Sequence, residues 1–339
     1  MDLTGRLKLK CRGLLDILYT RYIKGKSEST CLNELGSGFG YFTENKKNDP
    51  QSSILVIVPF RDKWDLTKVC LDSMINQNLE GINLDVVLAN NQSKEASTLE
   101  GIDTIIANSN GSIRFHHFKV DTPFNFSKIN NMAVSQYLEI EKHDKILLLN
   151  NDIELVNSQT LRMLSNGIDS MESLSAVGCT LVYRDETIQH LFLNPGCKIV
   201  GSHPGKGRRI SDVRDWIDRN HLVPGVTGAL LLTNAQDFID VGGLDECLAT
   251  CYQDLDYCLK LSKIGKDIGV VSSVQAIHDE TQSRSPTVDW QEVAYINNKW
   301  GIELSRHLMI PDHFSRFSEP LCETKFKSIY PWQDLVPKR

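Results

Sequence analysis

Lys145-Ile146-Leu147-Leu148-Leu149-Asn150-Asn151-Asp152 is the stretch on which the fold turns. Four consecutive apolar residues, Ile146 to Leu149, read as a strand buried on both faces. The strand runs without a break into two amides and a carboxylate, so it delivers oxygen ligands to the carboxyl edge of a sheet. Open α/β folds bind their ligands at that edge. Hard oxygen ligands there suit Mg²⁺ or Mn²⁺ bridging to a diphosphate, because such ions are held by one or two carboxylates plus the substrate's own phosphates. A polar turn after a strand is the plainer reading, and the rest of the chain decides between the two.

Outward from this strand, elements alternate. Ile54 to Pro59 reads as a strand, and Lys63 to Asn76 as an amphipathic helix with Leu66, Val69, Cys70 and Met74 on one face. Leu84 to Ala89 and Ile113 to Phe118 are further strands, and Ser127 can cap a helix running to Glu139. This rhythm predicts an α/β fold with a mostly parallel, Rossmann-like central sheet and helices on both faces. The second half is less regular. Helices are expected over Leu161 to Met171, from an Asn234 cap to Val241, over Asp254 to Ile264, and over Val288 to Trp300. Extended segments are expected over Ala176 to Tyr183, Ile188 to Val200, Thr227 to Thr233 and Ile268 to Val271, with a polar loop over 201–224.

At 339 residues, 41% hydrophobic and 24% charged, the chain can bury a sizeable core. A net charge of −6 gives no reason to expect nucleic acid as a partner. Charge is unevenly placed: residues 1–26 carry +5 and the remainder −11. Leucines and isoleucines interleave with the basic residues of 1–26, and such a segment can lie on an anionic membrane surface or dock on its own domain. No apolar run is long enough to span a bilayer, and the N-terminus lacks the apolar core of a signal peptide. Nine cysteines without a framework spacing fit reduced thiols in a cytoplasm, at the inner face of the membrane if residues 1–26 bind there. Cys247, Cys251 and Cys258 lack the paired spacing of a zinc site and read better as inert thiols.

Polar clusters stand at four element ends: Pro59-Phe60-Arg61-Asp62, Asn90-Asn91-Gln92-Ser93, Asn150-Asn151-Asp152, and Tyr252-Gln253-Asp254-Leu255-Asp256, with Ile277-His278-Asp279-Glu280 close behind. In a parallel sheet the first three share one edge. The wording and order of these segments resemble glycosyltransferase family 2, inverting nucleotide-sugar enzymes with a GT-A fold. Residues 54–62 (ILVIVPFRD) resemble the family's opening strand and nucleotide loop, and 124–134 (FNFSKINNMAV) a helix start of its bacterial polysaccharide branch. Residues 146–153 (ILLLNNDI) are similar to its Asp-x-Asp region. Residues 225–233 (GVTGALLLT), 241–246 (VGGLDE), 252–261 (YQDLDYCLKL) and 278–284 (HDETQSR) are similar to its acceptor-side signatures. The likeness covers about residues 54–285.

The resemblance implies a nucleotide-sugar half over 54–160 and a smaller acceptor-side and catalytic half over 161–310. An extension with a Gly/Ser/Asn-rich linker (1–53) and a tail (311–339) lie outside it. It implies Asp152 and His278 as ligands of Mn²⁺ or Mg²⁺, although a hydrogen-bonded loop histidine is an equally common role for a residue like His278. Asp254 aligns with the aspartate of the family's Glu–Asp pair and is expected to be the general base, since a carboxylate at a helix N-terminus is held ionised. Capping its own helix is the plainer role for it. Asp256 is the second choice. Gln253 departs from the family's usual acid. Asn90 stands where the family has Asp; its amide still offers an acceptor, compatible with a UDP- or dTDP-linked donor. Pro59, Arg61, Asn150 and Asn151 are expected nucleotide-sugar contacts, and Lys128 and Asn130 are expected to reach phosphate or sugar or, equally, to serve at the surface of a helix start. His190, His203 and Gly228 are expected on the acceptor side, although a solvated loop residue is the leading reading of each histidine. The expected partners are a nucleotide-diphosphate sugar and a saccharide or lipid-linked saccharide.

Two rival readings come from other classes. Glu34-Leu35-Gly36-Ser37-Gly38-Phe39-Gly40 looks like the Gly-rich loop of S-adenosylmethionine methyltransferases, but Ser29 to Asn33 are too polar for the buried strand that should precede it. A non-catalytic nucleotide-sugar-binding domain is the other; the presence of Asp152, Asp254 and His278 together weighs against it.

Overall fold

The computed structural model describes residues 40–43, 52–107, 109, 111–195, 201–280 and 289–306, with the backbone alone at 215 and 302–306. The Gly36–Phe39 loop, the basic segment 1–26 and the tail lie outside these residues.

One sheet of eleven strands organises the chain. Its strands are β1 (Tyr41–Phe42), β2 (Ser52–Phe60), β3 (Ile82–Asn90), β4 (Ile113–Lys119), β5 (Lys145–Leu149), β6 (Ile153–Glu154), β7 (Leu174–Val182), β8 (Ile188–His190), β9 (Asn220–Leu222), β10 (Leu230–Asn234) and β11 (Asp267–His278). The order is β1-β9-β11-β7-β10-β5-β2-β3-β4, with β6 beside β11 and β8 beside β7. β4, β3, β2 and β5 pair in parallel, β10 is antiparallel to both β5 and β7, and β11 is parallel to β7. Six strands from β11 to β4 therefore point the same way; among the described strands, β10 within that block and β9 beside β11 are reversed.

Period-two alternation sorts the apolar residues into two cores. Ile54, Val56, Val58, Leu147 and Leu149 face one layer; Leu55, Ile57, Ile146 and Leu148 face the other. Helices cover both sides, as a strand block this apolar requires. They are α1 (Trp64–Ile75), α2 (Ala96–Ala107), α3 (Phe126–Ile140), α4 (Thr160–Ile168), α5 (Arg214–Ile217), α6 (Ala235–Asp240), α7 (Gln253–Lys263) and α8 (Trp290–Arg306).

The expected elements are present, but the stretch 201–224, expected as a polar loop, carries helix α5 and strand β9, and four further differences stand out. Helix α2 was not anticipated, although Thr98, Ile102 and Ile105 are buried at helical spacing. β11 runs to His278, seven residues past the expected end. A register shift between Val271 and Gln275 absorbs Ser272, Ser273 and Val274 and lets pairing resume. The extended stretch after Ile188 is strand only to His190, with 196–200 outside the described residues. Ser127 is not the cap of α3: Asn125 accepts the Lys128 N–H at 2.9 Å, and Ser127 Oγ donates to Leu248 O at 2.6 Å.

Asp85 pins the far end of the parallel block. Its carboxylate accepts from His116 Nε2 (2.6 Å), from His143 Nε2 (2.9 Å) and from Arg114. Burial works to raise this carboxyl, but the two imidazoles and the guanidinium outweigh it and hold the group far below its usual range. The folded state thus gains from the ionised form at neutral pH, and that gain is lost as pH falls below the ordinary carboxylate range. Asp85→Ala is expected to cost roughly 3 kcal/mol in urea denaturation, the low end for a buried ion pair. A loss under about 1 kcal/mol would show that the cluster behaves like a surface pair.

Candidate active site

The carboxyl ends of β2, β3, β5 and β11 lie along one edge of the sheet, and the reversed β10 begins there. Leu230 pairs with Leu149, which puts Thr227-Gly228-Ala229 beside the end of β5. These three residues are a junction made by their backbone. Thr227 N–H donates to His190 Nε2 (3.2 Å), Gly228 N–H donates to Asp254 Oδ2 (3.0 Å), and Ala229 O accepts from Asn150 N–H (2.8 Å). Residues from β5, β8 and α7, more than 100 positions apart in sequence, are thereby fixed around one point.

Asp152 and His278 meet because β6 turns back onto β11, pairing Ile153 with His278, while Asp279 N–H donates to Asp152 O at 3.0 Å. The side chains, each 8% exposed, bring His278 Nε2 to 3.3 Å from Asp152 Oδ1. Asp152 Oδ1 is buried and makes no hydrogen bond among the described residues, and neither does His278 Nδ1. A buried carboxylate oxygen 3.3 Å from an imidazole nitrogen, with no hydrogen bond between them, is costly unless a further group such as a cation beside both satisfies them. Adjacent ligands on an octahedral ion with bonds of about 2.1 Å stand about 3.0 Å apart, so the pair fits a shared divalent cation. Among the described residues no group of three or more His, Cys, Asp and Glu is placed to hold a metal, so the remaining positions would fall to substrate and water. Behind the turn, Thr67 Oγ1 accepts from Asn151 Nδ2 (2.9 Å) and Ser73 Oγ from Leu155 N–H (3.0 Å), which fixes it to α1. Asn151 is thus engaged in holding the turn.

Asp254 sits in the first turn of α7, after Tyr252 in a left-handed conformation (φ 65°). That conformation is rare outside glycine and marks a backbone held by its surroundings. Each carboxylate oxygen accepts one N–H, Oδ2 from Gly228 and Oδ1 from Leu255 (2.8 Å). Burial pushes the Asp254 carboxyl up; these N–H groups and the Thr227 hydroxyl oppose it without cancelling it. The result is a carboxylate more basic than an ordinary aspartate, with lone pairs left over. Asp256 lies elsewhere. It is 0% exposed and faces α8, where its Oδ1 accepts from Trp300 Nε1 (2.6 Å) and pairs with Lys299 Nζ (2.7 Å). The structure does not bring it to the edge, because two residues along a helix is about 200° of rotation.

On the nucleotide side, the loops after β2 and β3 are stapled together. Asp62 Oδ1 accepts the N–H groups of Lys94 (2.7 Å) and Glu95 (2.9 Å), and Asp62 N–H donates to Ser93 Oγ (2.8 Å). Pro59 is buried in β2 and Arg61 is exposed at its end. Asn90 is 5% exposed; its Oδ1 accepts from Ser93 N–H (2.9 Å) and its Nδ2 donates to His117 Nε2 (3.2 Å). His117, half-buried on β4, had no motif around it to single it out. Asn130 is fully buried and its amide donates to Phe126 O (2.8 Å), so it packs α3 and does not reach outward. Lys128 is half-buried on the first turn of α3.

His190 is no solvated loop residue. It is 0% exposed, with Nδ1 2.9 Å from His203 Nδ1. Since Thr227 N–H occupies Nε2, a neutral His190 carries its proton on Nδ1 and donates it to His203, whose own proton then lies on Nε2. Burial, reinforced by Lys206, holds the His203 imidazole down at about 4, and burial lowers His190 as well. Lys206 Nζ in turn pairs with Glu280 (2.9 Å), two residues past His278. The pair therefore stands as a neutral, donor-bearing wall next to the junction. Gly228 leaves room: a Cβ there would lie 3.5 Å from Asp254 Cβ and 3.6 Å from the Phe126 ring.

The site's wider likenesses agree with this architecture. No protein-family model matches the chain. Over 237 residues (68% of this chain) it is 29% identical to the O-antigen biosynthesis protein RfbC of Myxococcus xanthus. The chain spans only 18% and 27% of the length of the curated relatives it matches. Among solved structures it is similar to GalNAc-T7 with UDP, GalNAc and Mn²⁺ (TM-score 0.58, 12% identity, 75% of this chain and 50% of that one). It is also similar to the mannosyltransferase PcManGT from Pyrobaculum calidifontis in complex with GDP-Man and Mn²⁺ (TM-score 0.53, 12% identity, 89% of this chain and 82% of that one). At such identities the likeness shows the fold, which is the GT-A fold of glycosyltransferases.

Proposed function

We propose that the chain is a metal-dependent, inverting glycosyltransferase of family 2. It moves one sugar from a UDP- or dTDP-linked donor to a hydroxyl of a saccharide or lipid-linked saccharide in cell-surface polysaccharide or lipopolysaccharide synthesis. One observation carries the reading: the orphaned Asp152 Oδ1 opposite His278 Nε2, with Asp254 tied to the same edge through Gly228. The name of the Myxococcus relative supports the surface-polysaccharide setting, and the Mn²⁺ and nucleotides of the solved neighbours support the donor class.

Asp152 and His278 would hold Mn²⁺ or Mg²⁺, which when bound supplies Lewis-acid neutralisation of the diphosphate's charge. Asp254 accepts the proton of the acceptor hydroxyl as its oxygen forms a bond to the anomeric carbon. The bond from that carbon to the diphosphate oxygen breaks on the opposite face, its electron pair leaves with the nucleotide, and configuration inverts. Burial of Asp254 raises its basicity towards the hydroxyl, which is what general-base catalysis near neutral pH needs. Asn90 and its His117 partner lie where the nucleotide's base would dock, and His203 offers an N–H to an acceptor oxygen. Residues 1–26, basic and amphipathic, would bring the enzyme to the inner face of a membrane where a lipid-linked acceptor resides.

The test is a panel of nucleotide sugars assayed for hydrolysis or transfer with Mn²⁺ and with EDTA. Mn²⁺-dependent turnover of a UDP- or dTDP-sugar is the expected result. Thermal stabilisation by S-adenosylhomocysteine with no turnover of any sugar nucleotide would overturn the assignment. A Mn²⁺-dependent nucleotide shift without turnover would reduce the chain to a binding domain. With an active donor in hand, kcat/KM should fall on the acid side through a pKa above the usual 3.8 of aspartate, because the base must be ionised and burial raises it.

A further inference from the structure

The loop that leads into α7 is held by a residue just outside the segments that resemble glycosyltransferase family 2. Residues 248–252 form neither helix nor strand, so the N–H groups of 249–251 lack regular partners. Glu292, 5% exposed in the first turn of α8, supplies them. Its Oε1 accepts the N–H groups of Ala249 (2.7 Å) and Thr250 (2.9 Å), and its Oε2 accepts Thr250 Oγ1 (2.9 Å) and Cys251 N–H (2.6 Å). From the other side, α3 grips the same loop: Phe126 N–H donates to Ala249 O (2.8 Å) and Ser127 Oγ to Leu248 O (2.6 Å). One residue beyond the Glu292 contacts the backbone turns left-handed at Tyr252, and two residues later Asp254 reaches Gly228.

Four bonds to one buried carboxylate are charge-assisted and geometrically demanding. They fix the backbone from 249 to 251, and the left-handed residue passes that orientation directly to the first turn of α7. The rest of α8 is anchored independently by Trp300 on Asp256 and by Ile296 among Leu193, Leu255 and Leu259. Glu292 is therefore not needed to keep α8 on the body of the protein. Its particular consequence falls on the loop.

We propose that Glu292 is a positioning residue for Asp254: by clasping residues 249–251 it sets the angle at which α7 begins and so holds the Asp254 carboxylate against the Gly228 N–H. The inference rests on reading Asp254 as the base, but its structural half is testable without activity. Glu292→Gln keeps the shape and one acceptor oxygen while setting an NH₂ group against Cys251 N–H and the Thr250 hydroxyl. Hydrogen exchange of the full chain should then show the Gly228 amide exchanging about tenfold faster or more, while amides 257–263 inside α7 stay protected. In steady-state assays kcat should fall by roughly 10²-fold, the cost of about 1 Å of misplacement, with the donor KM within twofold of the parent. Glu292→Asp, which keeps the charge but reaches one methylene less, gives the same readouts should the first variant not fold.

Unchanged Gly228 protection in a folded variant would overturn the inference. So would an unchanged kcat in a variant whose 249–251 amides exchange freely, since the clasp would then be structural only. Asp254→Asn measured in parallel separates the two ideas: if that variant turns over normally the base assignment falls, whereas the Gly228 amide still reports on Glu292.

Discussion

Asp254→Asn is expected to lower sugar transfer by roughly 10²–10⁴-fold, the span that general-base catalysis contributes, while leaving nucleotide affinity in Mn²⁺ within about twofold of the parent. The separation follows from geometry. Asp254 is tied to the reaction edge through Gly228 and belongs to α7, whereas Asp152 sits on the turn after β5 and meets β11. Losing the carboxylate removes the proton acceptor without touching the other pair. The substitution is close to isosteric, but its one oxygen can accept from only one of the Leu255 and Gly228 N–H groups, so the melting temperature is followed beside the activity. Single-turnover assays with saturating donor would isolate the chemical step. Transfer at the parent's rate would remove Asp254 from the mechanism.

Asp152→Asn should act on the other half of the chemistry. Mn²⁺-dependent nucleotide binding, followed by calorimetry or thermal shift, is expected to weaken about 100-fold or more, since even the outer-shell partners of metal ligands cost roughly 10–100-fold. Binding in EDTA should be nearly unchanged. His278→Ala should weaken the same Mn²⁺-dependent component, and combining the two should cost less than the sum, as expected for groups in contact. Asp152 Oδ1 is buried with no hydrogen bond and only the His278 imidazole 3.3 Å away, so the neutral amide is expected to leave the melting temperature of the metal-free protein close to that of the parent. Parental Mn²⁺ dependence in Asp152→Asn would mean that the cation, if used, is bound elsewhere.

Much of this arrangement was legible in the residue order, for a physical reason. Strands buried on both faces write themselves as unbroken apolar runs, and Ile54 to Val58, Val86 to Ala89 and Ile146 to Leu149 could hardly be anything else. Parallel pairing then forces the residues after them to one edge, which is how Asn90 and Asn150 could be placed together without coordinates. Direction reversals were harder. Nothing in Leu230 to Asn234 says that this strand runs against its neighbours, yet that reversal brings Gly228 to Asn150. The bulge that carries β11 to His278 was hidden because two serines break the apolar pattern. Side-chain roles were least legible. Asn130 and Asn131 look alike in the sequence, but Asn130 packs inward while Asn131 exchanges two bonds with Leu244. Asp256 resembles a second acid until Trp300, 44 residues away, is seen to claim it.

The junction at residues 227–229 has a consequence for how this site can change over generations. Its three ties are made by peptide groups, so for them the count of residues matters more than the side chains, although the Thr227 hydroxyl also reaches Asp254; Gly228 has space for a methyl group. Such a crossroads forgives substitution and punishes insertion, because one added residue would throw three distant partners out of alignment at once. Relatives with new substrates should therefore keep the length of this corner fixed and draw their variety from the surrounding loops.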